Sequence, residues 1–162
     1  MMTDRILAFI ATLGPVGHLP APGTAGSAVA VLLGLACIHA FGLGGFVLVT
    51  AVISVIGLSA AGAHFRITGQ KDAGAVIIDE VVGQWLAMMA IPLSPDFSTP
   101  YLLAVAGSFV LFRLFDILKP GPIRMAENLP GAVGVMADDV LAGIAAGIVV
   151  FGVAEIWGVL PW

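Results

Sequence analysis

The chain has 162 residues, of which 60% are hydrophobic and 10% charged, with a mean hydropathy of +1.12 and a formal net charge of −4. Soluble domains carry about 25% charged residues, so this composition excludes a water-soluble globule and predicts one integral-membrane domain over residues 1–162. The weak charge, with no run of bases, argues against a nucleic acid partner. The single cysteine, Cys37, excludes an intramolecular disulfide and a cysteine-based metal cluster.

The N-terminal segment is apolar from Ile6 to Leu13 but too short for a membrane span. Asp4 interrupts the positive region that a signal peptide requires, and no small-residue cleavage site follows. We expect the segment to be retained, as a short interfacial or re-entrant element.

The remainder predicts an all-α, polytopic membrane helix bundle of about five spans, because about 20 helical residues cross a hydrocarbon core of about 30 Å. No Asp, Glu, Lys or Arg occurs between Arg5 and Arg66, and a glycine-rich break follows Phe41. The expected spans cover approximately residues 25–41, 46–63, 77–93, 101–118 and 140–159. Gly143 and Gly147, separated by three residues, predict close helix packing.

The basic residues predict the orientation of the bundle. They are Arg5, Arg66, Lys71, Arg113, Lys119 and Arg124. With five spans, all of them fall on one side of the membrane or in the adjacent helix turns. The positive-inside rule makes this side cytoplasmic.

Three charged clusters are expected on the same side. They are Asp72 with Asp79 and Glu80; Arg113 with Asp116 and Lys119; and Asp138 with Asp139. An ionised side chain at the centre of a membrane helix costs about 2.5–3.5 kcal/mol. Each acidic pair is expected to open an apolar helix, where negative charge complements the helix dipole. Capping explains one acid, but not two adjacent acids at two helix starts.

Two chemical interpretations remain for these clusters. The two acidic pairs, with Asp116 assisting, offer the oxygen ligands that Mg²⁺ accepts together with water and a phosphate. Arg113, Asp116 and Lys119 follow at three-residue steps, which places them on one helix face. They form either an intrahelical ladder of ion pairs or a phosphate clamp, and the spacing does not decide between these.

The loop HLPAPGTAGS leads into the first span and carries His18, Thr24 and Ser27. Backbone N–H groups at such a helix start can hold an anion. His18 is either an interfacial polar residue or a phosphate ligand and proton donor, whereas His64 is expected in a loop.

Four segments, LPAPGTAGS, IIDEVVGQW, FRLFDILKPGPI and GVMADDVLAG, together resemble the phosphatidylglycerophosphatase A family. The resemblance implies an integral-membrane, magnesium-dependent enzyme that converts phosphatidylglycerophosphate to phosphatidylglycerol and inorganic phosphate. The positions that match the family's motifs are Asp79, Glu80, Asp116, Asp138 and Asp139 among the acids, Arg113 and Lys119 among the bases, and Pro22, Gly23, Thr24, Gly26 and Ser27 in the loop. Asp72 matches less strictly.

The prediction is therefore a lipid phosphatase of the bacterial inner membrane, with its site facing the cytoplasm and a lipid substrate. The predicted catalytic residues are Asp79, Glu80, Asp116, Asp138 and Asp139, the predicted magnesium ligands are Asp79, Glu80, Asp138 and Asp139, and the predicted substrate-binding residues are Arg113, Lys119, Thr24, Ser27 and His18. The nucleophile, either a metal-bound water or a carboxylate, stays open, as do the number of metals and the oligomeric state.

Three alternatives predict different patterns. A cation- or proton-coupled transporter would carry its acids near the midplane rather than at helix ends. A non-enzymatic scaffold would leave seven charged motif residues unexplained. A CDP-alcohol phosphotransferase would carry a spaced pattern of Asp, Gly and Arg within one helix, which this sequence lacks.

Overall fold

The computed structural model describes residues 2–69, 74–91 and 98–156, and every regular element in these ranges is helical. The helices are α1 (Met2–Ala11), α2 (Pro22–Thr68), α3 (Ile78–Met89), α4 (Thr99–Leu118), α5 (Pro122–Glu127) and α6 (Ala132–Ile156), with a 3-10 turn at Val16–His18. The all-α prediction is confirmed. Lys71, Asp72 and the expected span ends at residues 93 and 159 lie outside the described residues.

Helix α2 is a hairpin of two helical arms joined at Gly42. This residue has φ 65° and ψ −174°, a conformation open to glycine because it has no β-carbon. A β-carbon at Gly26 would lie 3.0 Å from Ile77, and one at Gly57 would lie 3.3 Å from Ile78. In a straight helix, positions 26 and 57 would be about 47 Å apart. The arms therefore fold back on each other, as the glycine-rich break predicts.

Three helices, α2, α4 and α6, are long and apolar enough to cross a membrane, and the 47 residues of α2 suffice for two crossings. Helix α3 is shorter than its predicted span, with 12 residues or about 18 Å, against a hydrocarbon core of about 30 Å. Ten of its residues are buried, so the other helices enclose it. The prediction of about five spans is confirmed in outline, although α3, which corresponds to the third predicted span, is shorter than predicted.

Glycines bring α3 and α6 into backbone contact. A β-carbon at Gly143 would lie 2.2 Å from the carbonyl oxygen of Gly83, and one at Gly83 would lie 2.6 Å from the carbonyl oxygen of Asp139. Gly147 packs at the end of the same helix, where its β-carbon would lie 3.2 Å from Ala90, the residue that follows α3. The predicted close packing at Gly143 and Gly147 is confirmed, and it holds Asp139 beside the first turns of α3.

Helix α6 begins earlier than predicted. It starts at Ala132, just after Gly131 with φ 63°, rather than near residue 140. Asp138 and Asp139 therefore lie beyond the first turn, where the helix dipole no longer acts, and the expectation that they open a helix is wrong. Asp79 and Glu80 do lie in the first turn of α3.

Helix α1 packs beside the second arm of α2. Leu7 and Ile10 contact the cluster that contains Ala60 and Ala61. The Asp4 carboxylate lies 2.7 Å from the Arg66 guanidinium at the outer end of this contact. The opposite face of α1 exposes Met2, Ile6 and Phe9 to the surroundings. Its location in the membrane interface stays a prediction.

Candidate active site

A cavity of about 270 Å³ lies at one end of the bundle and gathers residues from five helices, α2 to α6, and the loop before α3. Its walls comprise Phe65, Gly74, Val76, Asp79, Glu80, Asp116, Lys119, Glu127, Val135, Asp138 and Asp139. All five acids that the sequence predicts as catalytic are therefore in one cavity, although they come from three separate segments.

Three of these acids form the tightest group. Glu80, Asp116 and Asp139 each contribute a carboxylate oxygen, and these oxygens lie within 4.8 Å of one another. Glu80 and Asp139 are buried. The sequence assigned Asp116 only an assisting part, but the structure places it among the atoms best arranged to bind a cation.

The first acid of each pair binds the backbone of the second. The Glu80 N–H donates to Asp79 Oδ1 at 3.0 Å, and the Asp139 N–H donates to Asp138 Oδ1 at 3.1 Å. The two acidic pairs thus share one local arrangement on α3 and α6. In each of them the second acid joins Asp116.

Arg113 lies outside the cavity wall and pairs with the carboxylates of both Glu80 and Asp116. Its Nη1 pairs with Glu80 Oε2 and lies 2.8 Å from Asp116 Oδ2. The same nitrogen is 3.4 Å from Ser27 Oγ, whereas the buried Nε has no hydrogen-bond partner among the described residues. The ion pair between Arg113 and Asp116, which belongs to one of the two alternatives that the sequence left open, is present. Arg113 is not among the residues on the cavity wall, so its predicted substrate-binding role stays a prediction.

Lys119 lies on the cavity wall, just past the last residue of α4. Its φ of 46° takes it out of the helix, so the predicted single helix face with Arg113 and Asp116 is wrong. Its Nζ lies 2.6 Å from Asp138 Oδ2 and 2.8 Å from Glu127 Oε1. Partial burial acts to lower the pKa of Lys119, but these two carboxylates raise the pKa above its ordinary value. The cavity therefore contains a charged ammonium.

The first turns of α2 reach the site through Ser27, which is helical rather than in a loop as predicted. Its Oγ lies 2.9 Å from Glu80 Oε2 and 2.8 Å from the Gly23 carbonyl oxygen, so its one hydrogen can be donated to either. A β-carbon at Gly23 would lie 2.2 Å from Glu80 Oε1, so a larger residue there would displace this carboxylate. Thr24 is exposed on the same turn.

His18 is not brought to the acidic group. It lines a separate cleft with His64, between α1 and the end of α2. His64 is helical and buried, so the expectation of a loop position is wrong. Glu127, which the sequence left without a role, is the residue missed. Glu127 reaches the cavity because the chain turns at Pro120 and Gly121 into the short α5, and this turn depends on tertiary folding.

The residues of the cavity suit a hard divalent cation. Six carboxylates line the cavity, the five motif acids and Glu127, and two bases pair with them, Lys119 on the wall and Arg113 outside it. The formal excess is therefore 6 − 2 = 4 negative charges. Buried charge of one sign needs compensation, and oxygen donors with few carboxylates per ion match Mg²⁺. The donor set is therefore compatible with magnesium.

Comparisons with known proteins show which family this chain resembles. The family model described as "PgpA: Phosphatidylglycerophosphatase A" matches residues 9–154. A phosphatidylglycerophosphatase A of Haemophilus influenzae is 41% identical over 135 residues, which is 83% of this chain and 79% of that protein. A Bacteroides thetaiotaomicron protein provisionally named phosphatidylinositol-3-phosphatase is 38% identical over 134 residues, covering 80% and 81%.

The phosphatidylglycerophosphatase A of Escherichia coli is 42% identical over 85 residues, 51% of this chain and 46% of that protein. No solved structure matches this chain. The family match covers most of the chain, including all four motif segments. This chain therefore belongs to the phosphatidylglycerophosphatase A family of lipid phosphatases.

Proposed function

We propose that this chain hydrolyses the terminal phosphate of phosphatidylglycerophosphate, giving phosphatidylglycerol and inorganic phosphate, in a magnesium-dependent reaction at the cytoplasmic face of the bacterial inner membrane. The observation that carries the proposal is the group of Glu80, Asp116 and Asp139 beside Lys119 in one cavity. The relatives' names supply the substrate.

Glu80, Asp116 and Asp139 would hold the magnesium ion, because their oxygens already converge. Bound there, Mg²⁺ would neutralise phosphate charge and polarise a phosphoryl oxygen. Asp79 and Asp138 orient the neighbouring ligands through the backbone. In this scheme they act mainly as positioning residues, although both also line the cavity.

The bases have separate tasks in this proposal. Lys119 exchanges contact with Asp138 for contact with the phosphate oxygens, since its Nζ is already at the wall. Arg113 holds Glu80 and Asp116 in place from behind. Water supplies the oxygen that joins the released phosphate, and the phosphorus–oxygen ester bond breaks as the glycerol oxygen takes a proton. Catalysis of this kind depends mainly on positioning and electrostatics.

The location of the site also fits a phospholipid substrate. The cavity lies where α3 begins and α4 ends, at one end of the bundle. A headgroup can meet water there while its acyl chains stay in the bilayer. The acids gather at this end rather than at the middle of the bundle, so the arrangement does not favour the transporter alternative.

The test is phosphate release by the purified protein in detergent, with Mg²⁺ or with EDTA. We expect release from phosphatidylglycerophosphate only with the metal, and faster than from phosphatidylinositol 3-phosphate. Equal rates with Mg²⁺ and EDTA would contradict the metal dependence. Preference for the inositol lipid would contradict the substrate assignment and favour the activity in the name of the Bacteroides relative.

A further inference from the structure

An apolar groove between α4 and α6 takes no part in the chemistry described above. Its volume is about 350 Å³. The walls include Leu103, Ala104, Gly107 and Leu111 on α4, with Val150 and Ala154 on α6. Leu103 and the neighbouring Val110 are 67% and 61% exposed, so the groove opens on the surface that faces lipid.

The groove is elongated along the bundle. The residues that α4 contributes recur every three or four positions from Thr99 to Leu111, which is one helix face over about 18 Å. Gly107 lies in the middle of this face. No atom lies within 4 Å of the position that its β-carbon would take, so the floor of the groove is open there.

One end of the groove lies nearer the end of α4 at which the active-site cavity is found. Leu111 lies seven residues before Leu118, or about 10 Å along α4. The exposed side chains of Leu114 and Leu118 continue an apolar surface between them. Lys119, on the cavity wall, follows directly. A phospholipid with its phosphate at Lys119 can therefore extend along α4 into the groove.

We propose that this groove binds a fatty acyl chain of the phospholipid substrate and so makes the enzyme select long-chain lipids. The inference rests on the proposed function. A transmembrane helix is about 10–12 Å across and would lie over the groove rather than inside it. Lipid tails are as apolar as leucine, so moving an acyl chain from the bilayer into the groove gains little hydrophobic free energy. The bound chain contributes instead by positioning the headgroup in the cavity.

The experiment compares Gly107→Leu with the matched control Gly152→Leu in detergent micelles. Gly152 lies on α6, is also without neighbours at its β-carbon position, and does not line the groove. The two substrates are dipalmitoyl and dihexanoyl phosphatidylglycerophosphate. We expect Gly107→Leu to lower the ratio of kcat/KM for the long over the short chain about tenfold, as contacts in apolar pockets do, and the control to leave it unchanged. An unchanged ratio in Gly107→Leu would overturn the proposal.

Crosslinking separates the groove from the proposed function. A phosphatidylglycerophosphate probe with palmitoyl-length chains, one of them photoreactive, should label residues 99–111 in the parent protein and not in Gly107→Leu. Equal labelling by phosphatidylcholine with the same chain would show that the groove holds ordinary bilayer lipid, and it would overturn the proposal. Crosslinks to a second copy of the chain would overturn it as well. Selective labelling without any phosphate release would support the groove and contradict the proposed function.

Discussion

Among single residues, Asp139 has a crowded charge environment, because one of its carboxylate oxygens lies within 4.8 Å of those of Glu80 and Asp116. Asp139→Asn keeps the shape and removes one negative charge. We expect kcat/KM to fall about 100-fold or more, since a bound metal stabilises the transition state by several kcal/mol. Phosphate release at saturating Mg²⁺ measures this.

The same variant should not unfold the protein. Removing one of several close like charges relieves repulsion, so the metal-free Tm should be no lower than that of the parent. Glu155→Gln, at an exposed site near the far end of the same helix, is the matched control and should keep full activity. Full activity in Asp139→Asn would remove Asp139 from the metal group.

Ser27 illustrates a residue whose contribution depends on its partner across the bundle. Ser27 and Ser54 both lie 2.8 Å from the carbonyl oxygen four residues earlier, but Ser27 also reaches Glu80. Hydrogen bonds to charged groups contribute about 1.5–3 kcal/mol, so Ser27→Ala should lower kcat about tenfold.

Ser54→Ala, which removes only a bond within its own helix, should change kcat less than twofold. Similar losses in both serine variants would show that the effect comes from the helix and not from the contact with Glu80.

At the scale of elements, the contact of α3 with α6 sets the distance between two acidic pairs. Gly143→Ala would place a β-carbon 2.2 Å from the Gly83 carbonyl oxygen, a backbone atom that cannot rotate away. Overpacking of this kind costs about 1–3 kcal/mol. We expect a lower Tm in detergent together with lower activity, because Asp139 moves away from Glu80.

Gly152→Ala is the control on the same helix, since nothing lies within 4 Å of its β-carbon position. It should leave Tm unchanged or raise it slightly, as alanine is the better helix former. Equal Tm values for Gly143→Ala and Gly152→Ala would contradict the close helix contact.

For the whole molecule, the excess of negative charge in the cavity predicts stabilisation by metal. A ligand at 100 times its Kd adds about 2.7 kcal/mol to the free energy of unfolding. The fluorescence of Trp85, which is buried and donates to the Ala30 carbonyl oxygen at 2.7 Å, can report unfolding. We expect Tm to rise with Mg²⁺ and to fall with EDTA. The rise should disappear in Asp139→Asn, and a Tm independent of Mg²⁺ in the parent would argue against a metal site.

The orientation in the membrane is also testable. In a Cys37→Ser background, Asn128→Cys introduces a thiol at the exposed end near α5, and Gly44→Cys introduces one at the turn of the α2 hairpin. A membrane-impermeant maleimide should label position 128 only in inverted vesicles and position 44 only in right-side-out vesicles. The reverse pattern would place the cavity outside the cytoplasm.

The sequence by itself determined the class of the protein and much of its site. Composition alone requires a membrane bundle, because few charges are present to cover a water-facing surface. The glycine-rich break after Phe41 and the small residues at Gly143 and Gly147 were interpretable because backbone freedom and close approach are local requirements. The clusters of charge could also be recognised in the sequence, since acids are costly in apolar membrane helices and therefore indicate a function.

Only the tertiary structure decided how these pieces meet. The start of α6 at Ala132, the length of α3 and the position of Lys119 past the end of α4 depend on turns whose geometry the apolar pattern does not encode. The grouping of Asp116 with Glu80 and Asp139, and the separation of His18 from them, follow from packing between distant segments. The sequence shows which ionisable residues are costly to place in a membrane helix, but the distances between helices depend on how their surfaces fit together.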